Sequence, residues 1–215
     1  MKDYVMKKSI FTVVVSIVVL LLGTVLYGQE ISVKKLEKDA KKQAKTYVKQ
    51  GWLVAPGHNS IEIQQLRAIK LQNTFNEDYS PKYIMGSAMS NAGNYDAAKF
   101  QATELAKIQI AGIISSDVAG LVENNIGNSQ LDAGQAASIV KSIGNYKSFI
   151  ASKLTNIIPV IDMYMIDPKT KNTTVTVGLF YNKEEAVKMG IQAIREQMMK
   201  ESEELGKELD SLLGL

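Results

Sequence analysis

From Thr173 to Tyr181 every second residue is apolar. Val175, Val177, Leu179 and Tyr181 point one way, and Thr174, Thr176, Gly178 and Phe180 the other. A period of two over that length is the signature of a β-strand with one face in a core and the other at least partly wet. The stretch before it, Ile157 to Ile166, is apolar and β-rich, and Asp167-Pro168-Lys169-Thr170-Lys171-Asn172 between them has turn composition. Together they predict an antiparallel hairpin in an open sheet. Pro159 suits the start of a strand or an edge. Both strands should lie beneath a helix carrying a matching apolar face.

Such a helix is supplied by residues 94 to about 122. Asn94 is a capping residue, and Ala98, Ala102, Ala106, Ile110, Ile113 or Ile114, and Val118 share one face. Asp96, Lys99, Thr103 and Lys107 occupy the other. Alanine in the first half lets the helix lie close on a sheet. Tyr83, Ile84, Met85 and the small trio Gly86, Ser87, Ala88 read as a further strand. Asn124, Asn125, Gly127 and Asn128 break the long helix, and Ala136, Ile139, Val140, Ile143 and Ile150 mark another.

The flanks are helical. Residues 33 to 50 carry Leu36, Ala40, Ala44 and Val48 at every fourth position, with Gly51 where a C-terminal cap belongs. The other faces of that helix hold Lys34, Lys35, Lys38, Lys41, Lys42, Lys45 and Lys49. These lysines could meet anionic lipid headgroups, or form a solvated face partly balanced by Glu37 and Asp39. Trp52, Leu53, Val54 and Pro56 form an apolar turn. A short helix should start at Asn59 or Ser60, where Asn59 and Glu62 match a capping box, with Ile63, Leu66 and Ile69 inward. Asn73 to Pro81 is a loop by composition. Asn182 and Glu185 form another capping box, opening a helix whose stripe runs through Val187, Ile191, Ile194, Met198, Leu205, Leu209 and Leu212. It loses phase around Glu201 to Glu204, which predicts a first half packed on the domain and a freer or oligomer-contacting second half.

These elements define an α+β chain: a small antiparallel sheet packed by a long Ala-rich helix, with additional N- and C-terminal helices. The expected organisation is an N-terminal segment 1–28, a helical segment 29–79, an α+β core domain 80–182 and a C-terminal amphipathic helix 183–215.

Residues 1–28 carry the localisation signal. Lys2, Lys7 and Lys8 precede an uncharged run from Ile10 to Leu26, followed by Tyr27-Gly28-Gln29-Glu30. This is the charged, apolar, polar order of a signal peptide. The run exceeds the usual signal core of about 7–15 residues and touches the lower limit of about 17 for a membrane-spanning helix. Its length and the small Gly28 favour cleavage over a retained anchor at residues 10–26, although Leu26 fits the cleavage pattern poorly. Either outcome places the remaining chain in the cell envelope, in the periplasm or on the outer surface.

Chemistry-bearing patterns are sparse. The chain of 215 residues has no cysteine, which excludes disulfide stapling and acylation at cysteine. The formal charge of +3 falls once residues 1–28 are set aside, since they hold three lysines and one aspartate; 22 basic and 21 acidic residues remain. Net charge therefore gives no argument for nucleic acid. His58 is the sole histidine, and no Gly-x-Ser-x-Gly, His-Glu-x-x-His, phosphate-loop or calcium-loop pattern accompanies it. His58 reads as an exposed or helix-capping loop residue. No catalytic, cofactor-binding or metal-binding residue is expected.

The order of strand, Ala-rich helix, polar insert, helix, apolar strand and alternating strand resembles the Lpp-twenty-type envelope lipoprotein family. Ala97, Ala98, Ala102 and Ala106, then Asn156-Ile157-Ile158-Pro159-Val160, then Thr173 to Tyr181 carry the likeness. The arrangement is also similar to the N-terminal domain of flagellar assembly protein T. The resemblance covers about residues 80 to 182 and implies a secreted or surface protein without catalytic residues. The chain departs from those lipoproteins in lacking the lipid-bearing cysteine. The expectation is an exported, non-enzymatic envelope protein, a binding or structural module whose partner is an envelope component or another copy of itself. A small envelope hydrolase or ligand carrier, its polar groups converging only in three dimensions, is the alternative.

Overall fold

The computed structural model describes residues 32–126 and 133–215. The expected signal or anchor at 10–26 lies outside the described residues, as do Gly127 and Asn128 of the expected break; Asn124 and Asn125, expected to break the long helix, are still part of it. The elements are α1 (Val33–Lys49), α2 (Ile61–Gln72), β1 (Tyr83–Ala92), α3 (Tyr95–Asn125), α4 (Ala133–Asn145), α5 (Lys147–Lys153), β2 (Ile158–Ile166), β3 (Thr173–Asn182), α6 (Lys183–Glu201) and α7 (Glu203–Leu213). The three strands form one antiparallel sheet in the order β1-β3-β2. The β2–β3 hairpin exists as expected, with β2 at an edge and Pro159 at its second position. The first strand runs on to Ala92, four residues beyond Ala88, because its register with β3 continues to Ala92 opposite Thr173.

One face of the sheet is sealed by α3. Val175, Val177, Leu179 and Tyr181 of β3 and Ile84 of β1 are buried with Ala98, Ala102, Ala106, Ile110, Ile114 and Val118. Ile114, not Ile113, continues the buried row. At Gly86 the two layers come so close that a Cβ would collide with the Ala106 carbonyl oxygen and lie 2.8 Å from Ile110 Cγ1. Although α3 is long and apolar enough to cross a membrane, its apolar row is spent on this sheet and on the later helices. Asn94 caps it through its side-chain oxygen, which accepts from the Ala97 N–H at 2.9 Å.

The opposite face is drier than the alternation implied. Thr174 and Thr176 are half-buried, but Gly178 and Phe180 are buried, Phe180 completely. Phe180 lies in a second apolar cluster with Trp52, Ile61, Ala68, Val160, Ile161 and Met163, and Ala44 brings in α1. The sheet is thus covered on both faces at the Phe180 end and wet only toward Thr174. A register shift between Pro159 and Ile161 assists this, because it turns both Val160 and Ile161 into the second cluster.

Three helix expectations change. Ser60 caps α2, accepting from the Ile63 N–H at 3.3 Å, while the Asn59 carbonyl accepts from Gln64 Nε2. The inward face of α2 is therefore Ile61, Gln64, Gln65 and Ala68 rather than Ile63, Leu66 and Ile69. On α1, Leu36, Ala40 and Ala44 are buried as expected, but Val48 is exposed. The C-terminal segment is two helices. Ser202 ends α6, with its N–H on the Met198 carbonyl, and caps α7 by accepting from the Leu205 N–H. The turn folds α7 back, burying Leu209 and Leu212 in the main cluster. A bidentate Arg195–Asp210 pair at 2.6 and 2.8 Å clamps the two helices, and the guanidinium holds the Asp210 carboxyl below its ordinary range. The second half is not free. Tyr146, between α4 and α5, donates to Glu201 Oε2 at 2.6 Å, and burial and that bond push its phenol up to about 12.

Leu179→Ala should cost about 2–5 kcal/mol and Thr176→Ala about 1 kcal/mol or less by urea denaturation; equal losses would contradict the assignment of faces. Gly86→Ala should destabilise by about 1–3 kcal/mol or more through overpacking on a backbone carbonyl. Gly112→Ala on α3, where a Cβ meets nothing within 4 Å, should stabilise by up to about 1 kcal/mol.

Candidate functional site

The described residues bring three chemistry-bearing side chains together around Asp162, a carboxylate on the edge strand β2. Its side chain is only 14% exposed. The Tyr95 hydroxyl lies 2.9 Å from both carboxylate oxygens. Lys99 Nζ is 2.6 Å from Oδ2 and His58 Nε2 is 3.4 Å from the same oxygen. Tyr95 and Lys99 come from the first turns of α3, at a spacing that puts i and i+4 on one face. His58 comes from the loop before α2, so the cluster draws on both layers.

The backbone of Asp162 is held as well. Its N–H donates to Gln64 Oε1 at 2.8 Å, and its carbonyl accepts from Gln64 Nε2 at 3.2 Å. A buried side-chain amide from α2 thus stands where a further strand's peptide would stand. Two residues on, Leu53 and Tyr164 exchange both backbone bonds, at 2.7 and 2.9 Å. Gln64 and Leu53 together close the exposed edge of β2 at these positions.

The electrostatics follow from this packing. Burial works against the Lys99 ammonium, but its hydrogen bonds to Asp162 and Tyr95 outweigh that cost and hold its pKa above the ordinary lysine value. Burial, reinforced by the bond to Asp162, raises the Tyr95 phenol. Both His58 ring nitrogens face acceptors, Nδ1 toward the Ala55 carbonyl at 3.3 Å and Nε2 toward Asp162. A doubly protonated ring satisfies both, whereas a neutral ring donates to only one.

Chemically, this is a carboxylate whose lone pairs are committed to a phenol, an ammonium and an imidazole. Ser60, the nearest hydroxyl in sequence to His58, is engaged in capping α2. No group of three or more potential metal ligands occurs among the described residues. A shallow depression of ≈ 430 Å³ along α6, lined by Gln192, Arg195, Glu196, Met199 and Lys200, shares no residue with the cluster. The arrangement is a clasp that ties β2 to the helices on its two sides.

The sequence signal for this cluster was Asp162 itself, an acid within an otherwise apolar strand, together with the Tyr95–Lys99 spacing. His58 is partly exposed, as expected of a loop histidine, but it is engaged rather than idle.

A second feature is electrostatic. All seven lysines of α1 are exposed, and none is ion-paired among the described residues. At about 100° per residue they fall within an arc of roughly 120° centred on the side away from Ala40. Glu37 and Asp39 lie outside that arc.

No protein-family model matches the chain, no curated protein matches it, and no solved structure matches the fold.

Asp162→Ala should destabilise by roughly 1–3 kcal/mol, because it strips a half-buried phenol and a half-buried ammonium of their acceptor. His58→Ala should cost under about 1 kcal/mol, as for other partly exposed ion pairs. A urea series that reversed this order would show that His58, not Lys99 and Tyr95, holds the clasp.

Proposed function

We propose that the chain is an exported, non-enzymatic protein of the cell envelope that acts as a binding or structural module. For export, the supporting feature is the order of Lys2, Lys7 and Lys8, the uncharged run Ile10 to Leu26, and the polar stretch from Tyr27. The six lysines from Lys34 to Lys45 follow that run, but they sit in a helix of a large folded domain, and such domains cross largely regardless of their charge. The resemblance of residues 80–182 to the Lpp-twenty-type lipoproteins, and to the N-terminal domain of flagellar assembly protein T, belongs to the same reading.

The observation that carries the non-enzymatic part is the commitment of Asp162. Its oxygens and backbone are all engaged by Tyr95, Lys99, His58 and Gln64. A hydrolase that used the chain's one histidine would draw on this group. General-base work by His58 would first require breaking the clasp. Function on this reading lies on surfaces, with an envelope component or a second copy as partner.

Cell fractionation should recover the protein outside the cytoplasm. Intact mass of the recovered protein should begin at Gln29 or nearby if the signal is removed, or include residues 10–26 if it anchors the domain. A full-length chain in the cytosolic fraction would contradict the proposal.

A further inference from the structure

Among the described residues the lysine stripe of α1 has no ion-pair partner. Seven ammonium groups stand along a helix of 17 residues, about 25 Å long at 1.5 Å per residue. Leu36, Ala40 and Ala44 face inward and the lysines face away from them. Of the thirteen described lysines outside α1, seven are paired with carboxylates (Lys99, Lys107, Lys153, Lys183, Lys188, Lys200 and Lys207), and the other six are scattered over separate elements and loops. On α1 the chain gathers seven cations on one side and keeps the helix's two acids, Glu37 and Asp39, off that side.

We infer that the α1 stripe docks the domain on an anionic phospholipid surface. Three properties select a membrane over an anionic polymer. The seven lysines lie on one side of a single 17-residue helix, a side that can lie along a plane. It is built from lysines alone, compact point charges suited to a diffuse layer of headgroups, with no arginine fork and no aromatic side chain among them for stacking on bases. And α1 starts at Val33, seven residues after Leu26; those residues span at most about 25 Å, so a chain still held by its apolar run would keep the stripe within reach of the headgroups. Basic residues near such a surface each strengthen binding by about fivefold. The inference extends the reading of the chain as an envelope protein and rests on it for the last of these arguments only.

The test uses the purified full-length chain and sedimentation with phosphatidylcholine vesicles, with and without phosphatidylglycerol. The apolar run contributes to both kinds of vesicle, so the informative quantity is the gain that phosphatidylglycerol produces. It should be at least about tenfold at low ionic strength and vanish at high salt. Changing Lys38, Lys42, Lys45 and Lys49 to Gln should abolish the gain with an unchanged circular dichroism spectrum, since all four are exposed. Changing Lys70, Lys82, Lys141 and Lys169 to Gln alters net charge equally and should leave the gain intact. The inference is overturned if phosphatidylglycerol gives no gain, if both quadruple variants lose it alike, or if single-stranded DNA strips the chain from the vesicles at a lower phosphate concentration than the lipid supplies. These outcomes are read on purified protein and are independent of where fractionation finds the chain.

Discussion

The close seating of α3 on the sheet is the contact on which the remaining architecture depends. Small residues are required on both sides of it: Ala98, Ala102 and Ala106 on the helix, Gly86 and Ala88 on β1. Each contributes little apolar area, but their small size brings the backbones together and lets the larger side chains at either end interdigitate. Once α3 is fixed, its C-terminal half, through Ile110, Ile114, Val118 and Val122, becomes the surface on which the later helices gather. The order along the helix, alanine first and isoleucine after, matches what each half touches.

The second constraint is the edge of β2. An apolar strand at the margin of a three-stranded sheet is an invitation to pair with another chain. Here the edge is occupied by Gln64 and by Leu53, and Asp162 is turned inward onto Tyr95 and Lys99. One acid therefore does three things. It removes an apolar position from the edge, it anchors the first turns of α3, and through His58 it ties the loop before α2 to the same point, where Gln64 holds the backbone. A buried or half-buried carboxylate bears a desolvation cost, and the number of partners around Asp162 reflects it.

Much of this fold was legible in the residues, for local reasons. The period of two in Thr173–Tyr181, the Ala and Ile row of α3, and the Asn94 and Asn182 caps depend on neighbours within a few positions, and the structure has them all. What escaped depends on distant chain. Phe180 lies on the nominally wet side of β3, and its burial comes from Trp52, Ile61 and Ala68, more than a hundred residues earlier. Gln64 faces inward on α2 because its amide serves the β2 edge, which no hydrophobic stripe can reveal. The return of α7 turns on Ser202 and on a salt bridge spanning fifteen residues; the lost phase near Glu201 marked the break but not the fold-back. The Asp162 cluster joins positions 58, 64, 95, 99 and 162, which no local pattern brings together, and it was not anticipated; an acid within an apolar strand and the i, i+4 spacing of Tyr95 and Lys99 are the local signals that could have pointed to it.

The chain thus combines a core with its polar clasp turned inward and a first helix whose charges are turned outward, a division suited to a protein that acts through its surface. On this architecture α3 and β3 should form the cooperative core to which the other elements are attached. Native-state hydrogen exchange measures this directly, since amides released only by global unfolding report the full stability of the domain. The slowest set should comprise Ala102–Ile114 of α3 and Val175–Phe180 of β3, with α1 and α7 exchanging through smaller openings. Amides of α3 that exchanged faster than those of α1 or α7 would contradict it.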